Sequence, residues 1–220
     1  MLRLLKFLFK LILWFLVITI LWVVLYRFVP PPITATMIFD GNGATRDWMS
    51  LSEMDPDMAA AAIAAEDSNF CTHNGFDYDA IREAWEERQA GERMRGGSTI
   101  SQQTAKNAFL WQGGGWVRKG FEAYFTGLIE LIWPKERIME VYLNIAETGL
   151  GTYGANAGAM RYFNHDASQL SAAEAAQIAA VLPSPRTRAG SNPSGWTARY
   201  GRMIGTRMGE VRNSGLDSCL

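Results

Sequence analysis

The sequence predicts a mainly α-helical domain held behind an N-terminal membrane-spanning helix. Three observations carry that prediction. Residues 1–29 are apolar where the rest of the chain is mixed; a succession of helix-period segments is opened by capping residues and closed by glycine or proline; and no convincing series of strands and no internal repeat appears. The chain has 220 residues, 48% of them hydrophobic, enough for one moderately large domain with a sizeable core, and it is not a disordered tail.

Between Lys10 and Arg27 sixteen residues carry no charge. They rise about 24 Å, and with Lys10 and Arg27 snorkelling, residues 7–29 reach across a hydrocarbon core of roughly 30 Å. Arg3, Lys6 and Lys10 precede the run and Arg27 alone follows it, an asymmetry that keeps the N-terminus in the cytoplasm and exports the remainder. A cleaved signal peptide is the alternative; the run is long for one, and TAT at 34–36 is a poor cleavage site. VPPPI, residues 29–33, reads as a stiff spacer. Taking Arg3, Lys6, Lys10 and Arg27 from the 21 cations leaves 17 against 22 acids, a net charge of −5 for the exported part. That balance argues against a nucleic-acid partner and requires locally focused cations for any anionic substrate. Cys71 and Cys219 are too few for a disulfide framework, and the expectation is that they stay unbonded. His73 and His165 lack the clustered ligands of a zinc site.

In the exported part, SEMDPDMAAAAIAAED gives the first helix, with Asp55 as cap and Pro56 in the first turn. YDAIREAWEERQAG gives an amphipathic second helix stopped by Gly91. GGSTISQQTAKNAFLW is a loop entering a helix, with Thr99 and Gln102 in capping-box spacing. WVRKGFEAYFTGLIELIW is strongly apolar, and PKERIMEVYLNIAETG places Ile138, Val141, Tyr142 and Ile145 on one face. GLGTYGANAGAMRYFN reads as a glycine-rich turn region. LSAAEAAQIAAVLPSP opens on a Ser171 to Glu174 capping box and stops at Pro183, and SGWTARYGRMIGTRMGEV is the last helix.

Glu66 and Asp67 fall at the negative end of the alanine helix, where each opposes the helix dipole by roughly 0.3–1 kcal/mol. A solvated helix end is the plain reading. Beside so much apolar surface, however, a carboxyl there has its pKa raised, the property of a general base working near neutrality. RGGSTISQQTAK lacks the spacing of a phosphate loop. A flexible loop and cap would explain its glycines and Thr99, but not the run Ser98, Ser101, Gln102, Gln103 and Lys106, donors suited to a sugar and a diphosphate at a helix N-terminus. Arg118, Lys119 and Glu122 share one helical side; between Gly120 and Trp133 only Glu122 and Glu130 are charged, so Glu122 is expected to be partly buried with a partner or a task. YLNIAETG and RYF read as packing.

EDSNFCTHNGFD, GGSTISQQTAKN, RKGFEAYFTGLIE and KERIMEVYLNIAETG stand in the order and spacing of the family-51 peptidoglycan glycosyltransferases, and over residues 50–210 the chain resembles the monofunctional members of that family. The resemblance implies a lysozyme-like, two-lobed helical domain with the smaller lobe near the membrane, and polymerisation of lipid II into glycan strands. It divides the chain into a cytoplasmic tip and transmembrane anchor at 1–29, a linker at 30–49 and a glycosyltransferase domain at 50–220. Glu66 takes the place of the catalytic base, which removes a proton from the acceptor's 4-hydroxyl. Glu122 takes that of a second glutamate associated with the departing diphosphate through neighbouring cations or a divalent metal, magnesium or manganese. Lys106, Arg118 and Lys119 match basic positions near the phosphates, and Ser98, Thr99, Gln102 and Gln103 complete the substrate-binding set. Asp67 is a support. The implied partners are lipid II, the growing glycan chain, the membrane and other cell-wall synthesis or division proteins. The implied location is the inner membrane, single-pass, with a periplasmic catalytic domain. One departure stands out: relatives often carry an arginine eight residues before the second glutamate, where this chain has Gly114, with Arg93 or Arg95 as substitutes.

Two other readings stay open. A lytic transglycosylase or muramidase would also use a lysozyme-like fold with one prominent glutamate, though lysis needs neither GGSTISQQTAK beside RKGFE nor an anchor. An inactive scaffold of the cell-wall machinery is the second, against which the intact Glu66 and Glu122 argue.

Overall fold

The computed structural model describes residues 1–89 and 97–220, most of them helical. In chain order the helices are α1 (Leu2–Phe28), α2 (Ala35–Ile38), α3 (Pro56–Glu66), α4 (Tyr78–Gln89), α5 (Ile100–Phe109), α6 (Gly115–Ile132), α7 (Lys135–Ile145), α8 (Ala155–Phe163), α9 (Ala172–Val181) and α10 (Gly195–Asn213). Three short strands, β1 (Thr45–Arg46), β2 (Glu147–Gly149) and β3 (Thr152–Tyr153), lie among them. A mainly helical domain behind an apolar N-terminal helix is what the sequence predicts, and it is consistent with a lysozyme-like helical form. The expected stop of α4 at Gly91 falls outside the described residues.

Helix starts follow their side-chain caps. The Asp55 carboxylate accepts from the Asp57 amide at 2.9 Å with Pro56 in the first turn, and Thr99 with Gln102 and Ser171 with Glu174 form complete capping boxes. The alanine run of α3 has a packing reason as well as a propensity one. Residues 58–64 are all buried, and their small side chains let α9 and α10 close on the helix from two sides. Ile63, Ile178 and Ile204 are fully buried in this group, each contributing roughly 1.5–3 kcal/mol by leaving water. A second group, α5 with α6 and α7, packs beside it, and the buried Tyr142 of α7 lies beneath α5.

Most of α1 presents apolar side chains outward, but Thr19, Val23 and Tyr26 are buried against the domain. The Thr19 and Tyr124 hydroxyls meet at 2.7 Å, and the Trp133 indole N–H donates to the Val23 carbonyl at 2.8 Å. Arg137 donates twice to the Tyr26 carbonyl, at 3.0 and 2.8 Å, and Arg27 donates back to the Ile132 carbonyl. Carbonyls in the last turn of a helix lack intrahelical partners, so the bonds to Tyr26 and Ile132 satisfy groups that would otherwise require water, while Trp133 adds a second donor to a carbonyl inside the ladder.

Three local features differ from the sequence reading. The glycine-rich stretch after α7 is a β2–β3 hairpin followed by a true helix, α8, and β1 pairs parallel to β3 to complete a sheet of order β1-β3-β2. Strands of two or three residues show no alternation, which is why no strand series was expected. The stretch at 30–49 folds onto the domain: Met37 is buried, Arg46 donates to the Pro31 and Pro32 carbonyls, and the Asp40 carboxylate accepts from Tyr153 at 2.6 Å and Arg186 at 3.0 Å. Finally, Cys71 and Cys219 form a disulfide, against the expectation that they stay unbonded. Their separation of 148 residues hides the pairing in the sequence, whereas the turn after α10 brings the two Cα atoms to 5.4 Å. A closure of this kind typically stabilises by about 2–4 kcal/mol.

Candidate active site

Glu66 is the last residue of α3, and Asp67 is its C-cap. One Glu66 carboxylate oxygen accepts from the Gln103 amide at 2.7 Å; the other is buried and has no hydrogen-bond partner among the described residues. Burial pushes the Glu66 carboxyl up from the ordinary range, the Gln103 hydrogen bond opposes that, the Asp67 charge adds to it, and Lys106 and Arg188 pull it back. The burial that the apolar surroundings imply in the sequence is therefore real. It leaves a poorly solvated carboxylate with one face free to take a proton.

Asp67 does a different job. It accepts from the Ile100 amide at 2.9 Å, fixing the first turn of α5, and its two oxygens lie 2.9 and 3.0 Å from His73 Nε2. Because the Gly75 amide donates to His73 Nδ1 at 3.1 Å, the ring proton sits on Nε2 and points at Asp67. Gly75 has φ +87°, and a Cβ there would meet Thr126 and Glu130 at under 3 Å, so this turn admits only glycine. Lys135 finishes the support: it donates to the His73 carbonyl and to Glu130, both at 2.8 Å, and lies over the Phe70 ring at 4.6 Å.

From α5, Gln103 and Lys106 project on one face toward the cleft, while Thr99 and Gln102 turn inward. The Thr99 hydroxyl accepts from the Gln102 amide at 3.1 Å and donates to the Gly75 carbonyl at 2.7 Å, and the Gln102 side chain accepts from the Thr99 amide at 3.0 Å. The Thr99 hydroxyl and the Gln102 side-chain oxygen are thus engaged in the cap. Ser98 stands half-buried just ahead of it, and Ser101 is buried and bonded to Glu130. The Tyr142 hydroxyl donates to the Gln103 side-chain oxygen Oε1 at 3.4 Å, giving the Gln103 amide a second fixed contact behind the base. Sequence spacing alone assigned Gln103 to a ligand and Tyr142 to packing.

The second acid, Glu122 on α6, is 3% exposed. One of its oxygens accepts from Arg118 at 2.7 Å and the other from Lys119. Burial lowers the Lys106 ammonium, Glu122 and Glu66 raise it, and Arg118 and Lys119 lower it, so Lys106 feels both acids and both neighbouring cations. Two cations thus pair with one buried carboxylate and a third, Lys106, shares its field with that of the base, an arrangement suited to neutralising a departing anion. A divalent metal fits this donor set poorly. Both Glu122 oxygens are ion-paired, and no group of three His, Cys, Asp or Glu side chains able to hold a metal occurs among the described residues.

Gly114 has φ +87°, and a Cβ on it would lie 2.9 Å from both the Arg118 Cβ and the Trp111 indole nitrogen. An arginine has no room there. Arg118 itself occupies the ground, donating to the Gly113 carbonyl as well as to Glu122. Arg93 and Arg95 fall outside the described residues. Next to the acids opens a cleft of about 900 Å³ whose lining includes Gln103, Lys106, Asn107, Trp111, Tyr142 and Arg186. One contributor had no sequence signal: Arg188, stacked over Trp196 at 3.8 Å, acts electrostatically on Glu66 from the loop before α10.

A family profile described as Transglycosylase matches residues 33–208. The chain is similar to the biosynthetic peptidoglycan transglycosylase of Caulobacter vibrioides, 48% identical over 201 residues that cover 90% of this chain and 88% of that protein. It is similar to the protein so named in Rhodospirillum centenum, at 49% over 199 residues covering 89% and 86%. The Bdellovibrio bacteriovorus relative of the same name is 45% identical over 224 residues covering 98% and 90%.

Proposed function

Because the chain belongs to the transglycosylase family and is a peptidoglycan glycosyltransferase, we propose that it polymerises lipid II into glycan strands with Glu66 as general base and a polyprenyl diphosphate as leaving group. The observation that carries this reading is the pairing of a half-satisfied Glu66 carboxylate with a cation cluster at Lys106, Arg118 and Lys119.

Glu66 takes the proton of the acceptor sugar's 4-hydroxyl as that oxygen attacks the anomeric carbon of the growing chain. The bond to the diphosphate oxygen breaks on the opposite face, so configuration inverts. Gln103 holds the base in aim, and Asp67 with His73 fixes the backbone beneath it. Lys106, Arg118 and Lys119 balance the charge that develops on the diphosphate, so the leaving group needs no protonation; in glycoside hydrolysis a protonated carboxylic acid has that task. Glu122 orients Arg118 and Lys119.

The anchor reading places residues 1–29 in the inner membrane as a single pass with the N-terminus cytoplasmic, and residues 50–220 in the periplasm as the glycosyltransferase domain, with 30–49 joining them. A 27-residue apolar helix with Arg3, Lys6 and Lys10 in its N-terminal part and Arg27 alone near its C-terminal end supports this.

The test is Glu66→Gln assayed with purified lipid II. Polymer formation is expected to fall by roughly 10²–10⁴ while lipid II binding persists, because the amide keeps the size but cannot accept the proton. Polymerisation near the wild-type rate would assign the base elsewhere. If the wild type instead releases soluble muropeptides from finished peptidoglycan and makes no polymer, the muramidase reading replaces this one.

A further inference from the structure

We propose that residues 214–220 act as a positioning strap which, bonded through Cys219 to Cys71, holds the turn between Glu66 and Asp77 and so fixes the direction in which the Glu66 carboxylate is presented. The inference rests on Glu66 being the base.

The disulfide joins a particular place. Cys71 lies between two residues that place the acids: Phe70, fully buried beneath Lys135, and His73, bonded to Asp67. Within itself the turn is held by short-range bonds, Phe70 to the Asp67 carbonyl at 3.1 Å and Thr72 and His73 to the Asn69 carbonyl at 2.9 and 3.2 Å; Ile100, Thr99 and Lys135 tie it to α5 and α7 through Asp67, Gly75 and His73, and the disulfide is its covalent tie to the segment after α10. On the other side, the segment after α10 doubles back through Gly215, at φ +64°, with the Leu216 amide returning to the Val211 carbonyl at 2.9 Å. Leu216 packs on the core, and the Cys219 amide donates to Cys71 Sγ at 3.3 Å. A continuous path thus runs from the α10 core through Leu216 and the disulfide into the turn that carries Asp67 and, one residue earlier, Glu66. At its other end α10 grips the same helix, the Tyr200 hydroxyl donating to the Ala65 carbonyl at 2.8 Å. Both chain directions out of the base are therefore tied to α10.

The electrostatic setting makes the strap readable by pH. Glu66 is faced by Asp67 on its own turn, Lys106 from α5, Tyr142 from α7, Arg188 from the loop before α10 and Tyr200 from α10, and burial is the largest influence on it. A loosened turn lets water reach the carboxylate, so its pKa falls and it becomes a weaker base.

The experiment uses the full chain in lipid vesicles. In Cys71→Ser/Cys219→Ser, kcat for polymer formation is expected to drop roughly 10- to 100-fold, as for a displaced catalytic group. KM should stay within about twofold, and the acid limb of the kcat profile should move to lower pH. A double variant with a lower Tm but unaltered kcat and acid limb makes the bond a staple only and overturns the proposal. Should the variant not fold, wild type already folded is reduced with a dithiol and alkylated. The same losses are expected, reversed by reoxidation when alkylation is omitted, and full activity in the alkylated form overturns the strap. Hydrogen exchange at the amides of Thr72, His73 and Ile100 needs no substrate. Faster exchange there without the bond, in a protein whose wild type makes no polymer, retires the lipid II reading and leaves the strap; unchanged exchange overturns the strap whatever the activity.

Discussion

At the scale of single residues, Glu66 is a local cost that the rest of the molecule offsets. Its folded-state pKa lies above the ordinary glutamate value because burial penalises the charged form. A carboxyl of that kind favours the fold fully below its unfolded pKa, and the advantage is lost as pH rises through the raised folded value. At pH 7, above the unfolded value, that advantage is reduced and burial of the carboxyl weighs against the native state. Glu66→Gln, inactive by the proposed mechanism, is expected to melt higher than wild type at pH 7, with roughly 2–4 °C for each kcal/mol relieved, and the gain should vanish near pH 4. Paired thermal scans at the two pH values check this; an equal or lower Tm at pH 7 would show that the buried oxygen is well solvated after all. Much of this was legible in the sequence, since a helix capped at Asp55 and filled with alanine must end near Glu66. What was not legible is the partner. Gln103 lies 37 positions away, and only the fold sets its amide against the carboxylate.

At the scale of elements, the loop into α6 shows how backbone conformation and charge are joined. Gly113, Gly114 and Gly115 all have positive φ, yet only Gly114 lacks room for a Cβ. Gly113→Ala should carry backbone strain alone, on the order of 1–2 kcal/mol. Gly114→Ala adds the clash with Arg118 and Trp111, so it should lower both Tm and kcat further. Equal losses in the two variants, measured side by side, would mean the clash relaxes freely. The same scale separates the sequence signals that could be read from those that could not. The Thr99 to Gln102 spacing reads correctly as a capping box: in the structure the cap takes the Thr99 hydroxyl and the Gln102 side-chain oxygen, while Gln103 and Lys106 line the cleft. The β2–β3 hairpin and the disulfide escaped notice for complementary reasons, one too short for periodicity and the other too distant in sequence for spacing to mean anything.

For the whole molecule, the junction between α1 and the domain decides what the anchor is. Arg137 satisfies the Tyr26 carbonyl at the end of α1, Trp133 bonds the Val23 carbonyl one turn earlier, and Trp22 and Tyr26 join Phe109, at the end of the helix that bears Lys106, in one aromatic cluster. Arg137→Met should free that end: amide exchange around residues 26–29 is expected to rise, and polymerisation of vesicle-borne lipid II to fall more than that of a water-soluble analogue. A loss identical for both substrates would point to general unfolding instead. On the proposed reading the clamp also has a mechanical consequence. A domain on a swivel could follow its product, turning with each sugar added; one bolted to its post has no such swing. The growing strand must then be threaded past a stationary base, its lipid end gliding in the plane of the membrane like a rope through a fairlead, and the direction of travel is set by how the post stands.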